Sequence, residues 1–120
     1  GVRKNLIAAA GELNLDLAAG GVYWQTAGPR LETRAEIRMM AGNADLVGMT
    51  LASEAILAGE FGMSFGAVCS VDNYAHGIGN TELKEADIRN GAKRNAEKIG
   101  RIVSRYIERF RIRTRPVGRV

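Results

Sequence analysis

The sequence predicts an α/β fold, a layered domain in which a mostly parallel or mixed sheet is flanked by helices. Two observations carry this prediction. Apolar residues recur at steps of three and four in several segments, and short strand-like runs lie between those segments. With 120 residues, of which 46% are hydrophobic, the chain is at most one modest domain that buries about two-thirds of its unfolded surface.

The first half of the chain alternates helix and strand. Residues 2–13 place apolar side chains at helical spacing, and two glycines then interrupt the chain before a strand at residues 22–25. After a Gly-Pro turn, Thr33 and Glu36 have the spacing of a capping box, in which hydroxyl and carboxylate bond reciprocal backbone N–H groups. This second helix is expected to run to about Ala41.

The second half continues with strands at residues 46–49 and 64–71, on either side of a helix at residues 51–60. A glycine-containing loop at residues 72–80 leads into one long helix from Thr81, whose apolar stripe is expected to pack against the sheet. That stripe consists of Ala92, Ala96, Ile99, Val103, Tyr106 and Phe110.

The net charge of +4 is concentrated at the end of the chain, where five arginines lie in the last twelve residues. We expect residues 1–110 to form the domain and residues 111–120 to be an unstructured arginine-rich tail, so nucleic-acid binding by the fold itself is disfavoured. No apolar run approaches the roughly 20 residues that span a bilayer, and no secretory signal begins the sequence. The single Cys69, expected to be buried in a strand, cannot form an internal disulfide, which favours the cytoplasm.

Four polar residues have the chemistry of a ligand site, and each also has an ordinary structural explanation. Thr50 separates a strand from a helix, where its hydroxyl either caps the helix or, with nearby N–H groups, binds an anion. Asn73 follows a strand and either forms a turn or bonds a planar heterocycle with its amide. Glu32 is a ligand acceptor or a solvated charge, and His76 a proton carrier or a loop residue. With one histidine and one cysteine, we expect no metal site.

Three ordered motifs stand out: GPRLETRAEIRMM from residue 28, NADLVGMTLASEAILAGEFGM from residue 43 and AVCSVDNYAHGI from residue 67. In order and spacing they resemble the C-terminal half of the trimeric purine nucleoside phosphorylase and methylthioadenosine phosphorylase family, over about residues 1–110. The resemblance implies phosphorolysis, in which phosphate attacks the anomeric carbon of an oxocarbenium-like ribosyl group and the purine leaves. Inorganic phosphate is then a co-substrate, and no cofactor is expected.

The resemblance assigns roles to individual residues. Leu31 lies where the family usually has a Phe that packs on the purine. Glu32 lies where the guanosine and inosine enzymes have a Glu that accepts from the purine N1–H and the exocyclic amine. Val47 is implied in the base pocket, Met49 against the ribose and Thr50 at the phosphate.

When Tyr74 is aligned with the family's Asp-Tyr-Asp signature, Asn73 falls on the first Asp and Ala75 on the second, the pattern of enzymes that act on 6-oxopurines. Asn73 is the implied catalytic residue, because its amide would donate to purine N7 and stabilise the leaving base. Tyr74 and Ala75 join the substrate-binding set. Asp72 replaces a residue that is usually Thr, and its role is left open.

The resemblance also implies that the 5′ group of the ribose lies near Glu85, which suits a hydroxyl, and Ile88, which suits a methylthio group.

The resemblance further implies what the chain lacks. The family's other phosphate ligands, a Gly-Ser loop, an Arg and a His, come from its N-terminal half, to which no segment corresponds. We therefore expect the chain to be inactive alone, whether it is a truncation, a cleaved half or a short homologue, and to need that half in a trimer or a multiple of trimers. The alternative functions are a non-catalytic purine-binding or protein-interaction module and an RNA contact through the tail.

Overall fold

The computed structural model describes residues 1–79 and 82–113, the last four as backbone only. The described part of the chain contains, in order, α1 (Val2–Glu12), β1 (Tyr23–Gln25), α2 (Arg34–Met40), β2 (Leu46–Gly48), α3 (Leu51–Glu60) and α4 (Glu85–Arg113). The prediction of an α/β fold is confirmed, because helices flank a small parallel sheet. In the described residues, none of the helices combines the length and the apolar character that crossing a membrane requires.

The sheet consists of β1 and β2, which pair directly in parallel and are connected in the chain through α2. The paired residues are Tyr23 with Leu46, Trp24 with Val47 and Gln25 with Gly48. Beyond the last pair, the Thr26 N–H donates a 2.9 Å hydrogen bond to the Gly48 carbonyl, which extends the ladder by one step. Because the strands are parallel, the residues that follow each of them emerge at the same edge.

Position 48 in β2 requires glycine. The Tyr23 hydroxyl lies so close to the Gly48 backbone that a β-carbon there would overlap it. The same hydroxyl accepts a 3.5 Å hydrogen bond from the N–H of Thr50, where α3 begins. The Gln25 side-chain oxygen accepts from the Ala52 N–H in the first turn of α3. Two side chains of β1 therefore fix the start of α3.

The predicted capping box of α2 is confirmed. The Thr33 hydroxyl accepts a 3.2 Å hydrogen bond from the Glu36 N–H, and the Glu36 carboxylate accepts one of 2.7 Å from the Thr33 N–H. The helix ends at Met40 with Ala41 as its C-cap, close to the predicted end. Ile37 and Met40 are its buried residues.

The predicted strand at residues 64–71 is wrong, since this segment is irregular. An open cleft of about 480 Å³ lies between residues 65–70 and β2 with the start of α3, so the segment does not reach β2 to pair with it. Of its residues, Val68 packs against the α1–α4 core and Gly66 lies close to Val2, whereas Phe65 and Val71 are exposed. Cys69 is exposed rather than buried, because the sheet that was expected to cover it is absent from this segment.

Helix α4 packs against α1 and not against the sheet, contrary to the prediction. The core between them is formed by Leu6, Ala10 and Ile102, with Tyr106 packed against it. At the far end, Arg105 Nε lies 2.6 Å from the Glu12 carboxylate, and Arg109 pairs with the same carboxylate.

The inner face of α4 differs from the predicted stripe. Ile99 and Tyr106 are half-buried, but Ala92, Ala96 and Val103 are exposed, and the side chain of Phe110 lies outside the described residues. The inner face runs instead through Gly91, Asn95 and Ile102. The stripe was misplaced because it followed one set of apolar residues at steps of three and four and left out the buried Ile102, as well as Gly91 and Asn95, which face the loop after residue 70.

The bounds of α4 also differ from those predicted. Residues 82–84 are not helical, so the helix begins at Glu85, and Thr81 lies outside the described residues. The helix continues to Arg113, so residues 111–113 belong to it and not to an unstructured tail. Residues 114–120 lie outside the described part of the chain.

The α1–α4 core predicts the effect of truncating one of its side chains. Leu6 is 6% exposed, so Leu6→Ala should lower the free energy of unfolding of the chain by about 2–5 kcal/mol through lost burial and a residual cavity. Leu57→Ala on α3 is the matched control, because Leu57 is 53% exposed and should change it by about 0.5 kcal/mol or less. Urea unfolding followed by circular dichroism measures both, and equal effects would contradict the described packing.

Candidate functional site

Three loops meet at the edge of the sheet where β1 and β2 end. They are residues 26–33 after β1, residues 49–50 after β2 and residues 72–79 before α4. We call them the first, second and third site loops. The crevice outside the carboxyl ends of parallel strands is where α/β proteins bind ligands.

The first and second site loops are joined by close contacts. Within the first site loop, the Thr26 hydroxyl donates to the Glu32 carboxylate, and this bond holds one of the two carboxylate oxygens in place. Gly28 has a φ of 63°, and a β-carbon at this position would lie 2.8 Å from the Met49 sulfur. Only glycine therefore allows Met49 to approach the first site loop, in which the Gly28–Pro29 peptide bond is cis. These contacts place the predicted base residue Glu32 and the predicted ribose residue Met49 on neighbouring loops.

The first and third site loops are joined through His76. Its Nδ1 lies 3.3 Å from the Glu32 carbonyl oxygen, and its Nε2 lies 3.4 Å from Arg34 Nε. Next to it, Gly77 has a φ of 84°, and a β-carbon there would lie 3.0 Å from the Arg34 side chain. Both ring nitrogens of His76 are engaged within the protein, which favours a structural role over that of a proton carrier.

A cavity of about 470 Å³ lies between the third site loop and the α2–β2 side of the sheet. Four of the predicted substrate-binding residues line it: Val47, Asn73, Tyr74 and Ala75. Most of the remaining wall is apolar and comes from Ile37, Met40, Leu46, Val71 and Ile78. Its size lies within the roughly 300–1,000 Å³ of pockets for small ligands, and the amide of Asn73 gives it a polar group on an apolar wall.

The 480 Å³ cleft on the other side of β2 is lined by the predicted ribose and phosphate residues Met49 and Thr50. Val47 borders both this cleft and the 470 Å³ cavity, so the two groups of predicted residues adjoin at β2. Leu31 is 50% exposed on the first site loop, where it offers an apolar side chain without burial.

Thr50 occupies the N-cap position of α3, but its hydroxyl makes no capping hydrogen bond. Gln25 bonds the Ala52 N–H in the first turn of that helix. The exposed Thr50 hydroxyl is therefore available beside the positive end of the helix.

Asn73 is half-buried, and its Nδ2 donates a 2.9 Å hydrogen bond to the Tyr74 carbonyl. A second cavity, of about 230 Å³, lies between Asn73 and the start of α4. The α4 side of this cavity is lined by Glu82, Leu83, Asp87, Asn90 and Arg94. The predicted residues for the ribose 5′ group are nearby on the same helix, with Glu85 in an exposed ion pair to Arg89 and Ile88 half-buried.

Sequence reasoning missed the residues that support the site. Thr26, Gln25 and Asn95 gave no signal, since each is an ordinary polar residue. Gln25 and Asn95 have partners distant in the chain, and Thr26 bonds Glu32 through the turn that lies between them. Gly91 did give one, because a glycine within a long helix costs stability and often marks close packing. Arg34, at the start of α2, was not predicted to support the site, because its partner His76 lies far away in the chain, in the third site loop.

The first site loop is held by an ion pair. Arg30 donates to both oxygens of Glu36 at 2.8 and 2.7 Å, and also to the Leu31 carbonyl at 3.1 Å. The hydrogen bond from Arg30, followed by those from the Thr33 backbone and hydroxyl, lowers the pKa of Glu36 from 4.5 to about 2. The carboxylate of Glu36 thus stabilises both α2 and the turn that carries Leu31.

Together, the fold and these contacts define an α/β chain with a candidate ligand site at the carboxyl edge of parallel strands. The family model described as "Phosphorylase superfamily" matches residues 1–108. The chain belongs to that superfamily.

Named relatives agree with the family. The chain is 51% identical over 89 residues to a probable 6-oxopurine nucleoside phosphorylase from Archaeoglobus fulgidus, covering 74% of this chain and 37% of the relative. It is 40% identical over 105 residues to a 6-oxopurine nucleoside phosphorylase from Pyrococcus furiosus, covering 85% and 39%. It is 48% identical over 81 residues to a probable S-methyl-5′-thioinosine phosphorylase from Xanthomonas campestris, covering 67% and 32%. The chain therefore spans at most about two fifths of the length of these relatives.

The ion pair of the first site loop predicts a pH dependence. Since folding lowers the pKa of Glu36, its stabilising effect is complete above pH 4.5 and is lost as the pH falls through about 2. Arg30→Ala should move the pKa of Glu36 back toward 4.5, because Arg30 makes the largest contribution to the shift. Carboxyl carbon shifts followed by NMR over this pH range measure it. Arg38→Ala, at an exposed position of the same helix, should leave the pKa unchanged.

Proposed function

We propose that the chain forms the base and ribose side of a purine nucleoside phosphorylase site with a preference for 6-oxopurines. The observation that carries the proposal is the meeting of the three site loops, which places Val47, Asn73 and Ala75 on one cavity. The substrates would be a purine nucleoside, such as inosine or guanosine, and inorganic phosphate, with no cofactor. The printed names of the relatives from Archaeoglobus fulgidus and Pyrococcus furiosus support this base preference.

The hydrogen-bonding chemistry of two residues matches a 6-oxopurine. Such a base carries a donor at N1 and acceptors at O6 and N7. Ionised Glu32 only accepts, and it retains one oxygen that Thr26 does not bond, whereas the Asn73 amide has two N–H donors. Adenine has no N1–H to donate to Glu32, so this pair of residues disfavours it.

Catalysis in this proposal depends on stabilising the leaving base. As the glycosidic bond breaks, negative charge develops on the purine, and the Asn73 amide would donate to N7 as the charge appears. To do so, Nδ2 must exchange its hydrogen bond with the Tyr74 carbonyl, or use its second N–H. Val47 and Leu31 would hold the base, and Met49 the ribose, so that the anomeric carbon faces phosphate at Thr50.

We propose that the remaining phosphate ligands come from a segment that this chain does not contain. The coverage of at most about two fifths of the named relatives supports this view. Exposed apolar side chains on α3 and just after it also support it, because they suit coverage by further protein: Ile56, Leu57, Phe61 and Met63. The complete enzyme would be a trimer, or a multiple of trimers, that acts in purine salvage in the cytoplasm.

The 230 Å³ cavity favours a hydroxyl over a methylthio group at the ribose 5′ position. Asp87 and Asn90 on α4 line it with exposed polar side chains, and Leu83, just before α4, adds an apolar one. A hydroxyl can bond either polar side chain directly, whereas a thioether offers no donor and would have to displace the water around them. We therefore propose inosine or guanosine, rather than methylthioinosine, as the preferred substrate.

The proposed activity can be tested by supplying the missing part. The region of the Archaeoglobus fulgidus relative that precedes the matched segment is fused ahead of Gly1, and hypoxanthine release from inosine is followed with and without phosphate. We expect phosphate-dependent release, and Asn73→Ala should lower kcat about a hundredfold or more, because one preorganised donor is lost. Asn43→Ala, at an exposed position, should leave kcat unchanged. Hypoxanthine binding without release would instead indicate a non-catalytic purine-binding module.

The 5′ preference gives a second prediction. In the same fusion, Asp87→Leu should shift the ratio of kcat/KM from inosine toward methylthioinosine by about tenfold, because it replaces a polar partner of the hydroxyl with an apolar surface. Glu97→Leu, at an exposed position of α4, is the control and should leave the ratio unchanged. A shift with Glu85→Leu and none with Asp87→Leu would favour the sequence-based assignment of Glu85.

A further inference from the structure

The first half of α4 contacts the third site loop through a residue pair that the proposed mechanism does not use. Asn95 Nδ2 donates a 2.8 Å hydrogen bond to Asp72 Oδ1 and also lies 3.3 Å from the Val71 carbonyl oxygen. One amide therefore holds both the backbone and the side chain of the segment just before Asn73.

Gly91, one turn earlier on α4, brings the helix close enough for this contact. It is buried, and a β-carbon there would overlap the Asp72 carbonyl oxygen and lie 2.8 Å from its carbonyl carbon. Rigid backbone, and not a flexible side chain, occupies the space. Any side chain at position 91 must therefore displace the loop or the helix.

These residues stand where α4 would otherwise carry apolar core residues. Further along the same face, Ile102 is buried in the α1–α4 core. Where the same face of α4 meets the third site loop, it carries Gly91, which has no side chain, and then Asn95, whose amide bonds the loop. This change of chemistry suits a contact that fixes the direction of a loop, because hydrogen bonds are directional whereas the hydrophobic effect is not.

We propose that Asp72 and Asn95 are positioning residues that hold the Asn73 amide where it faces the base cavity. The inference rests on the proposed function for its catalytic consequence. Asp72 directly precedes Asn73, and both residues line the 470 Å³ and 230 Å³ cavities. A displacement of the turn by about 1 Å would misdirect the amide that donates to N7, and misplacement of that size costs about a hundredfold in rate.

The test uses the fusion protein described above, with variants matched in charge. Asn95→Asp removes the donor and places two carboxylates together, so kcat for inosine should fall about a hundredfold while KM for phosphate stays unchanged. Ala96→Asp adds the same charge at the neighbouring exposed position and should retain kcat. Asp72→Asn preserves the acceptor oxygen and should keep kcat within about threefold, whereas Asp72→Leu should lower it as Asn95→Asp does. Asp72→Leu also serves as the test variant if Asn95→Asp does not fold.

A second readout separates this inference from the proposed function. The side-chain amide signals of Asn73, observed by ¹⁵N NMR, should shift in Asn95→Asp but not in Ala96→Asp, since both variants add the same charge to α4 and only the first loses the contact with Asp72. Unchanged signals in Asn95→Asp, or kcat values in Asn95→Asp and Asp72→Leu equal to that of Ala96→Asp, would overturn the positioning role. If the wild-type fusion releases no hypoxanthine while these signals shift as expected, the proposed function fails and the positioning of Asn73 stands.

Discussion

The hydrogen bonds between β1 and β2 are few, and the contacts of the candidate site depend on them. Three residue pairs form the ladder, with one further backbone bond from Thr26 to Gly48 at one end and two, from Asp45 and Leu46 to the Val22 carbonyl, at the other. Parallel pairing brings the first and second site loops out at one edge, and Tyr23 and Gln25 tie the start of α3 to the same strand. The third site loop is then held from two sides, by Arg34 and Glu32 through His76 and by Asn95 on α4. The two strands can therefore be short, because side-chain hydrogen bonds hold the segments that follow them.

The sequence predicted those parts of the fold that are determined locally. Apolar spacing located α1 and α3, and the capping box located the start of α2, because these signals depend on residues within a few positions of one another. The errors concern tertiary packing. Residues 64–71 have the composition of a strand, but they form none: Val68 packs against the α1–α4 core, while Phe65 and Val71 are exposed. The helical period of α4 could not show that its partner is α1. Burial against a helix and burial against a sheet leave the same pattern in a single sequence.

In the candidate site, too, the predicted features are local and the unpredicted ones are tertiary contacts. Motif resemblance assigned roles to Glu32, Val47, Met49, Thr50 and Asn73, and the structure brings their loops together, although the roles themselves stay predictions. The supporting roles of Thr26 and Asn95 could not be predicted, because their contacts exist only in the folded chain, and Gly91 gave only the general signal of a glycine within a long helix. Asp72, to which the resemblance gave no role, gains a contact with Asn95 that only the fold creates. The residue types of a motif indicate the chemistry of its side chains, whereas the contacts that orient those side chains are seen only in the three-dimensional structure.

The close approaches at Gly28, Gly48 and Gly91 have a consequence for how such a site can change. Each glycine meets a neighbour from another segment. A side chain at position 91 must displace the loop backbone or the helix, because Gly91 meets the Asp72 backbone, whereas one at position 28 or 48 must displace the side chain of Met49 or Tyr23. Leu31, half exposed on the first site loop, has no such restriction on its size. At the predicted base contact Leu31, residue size can therefore change by a single substitution without displacing a neighbouring segment.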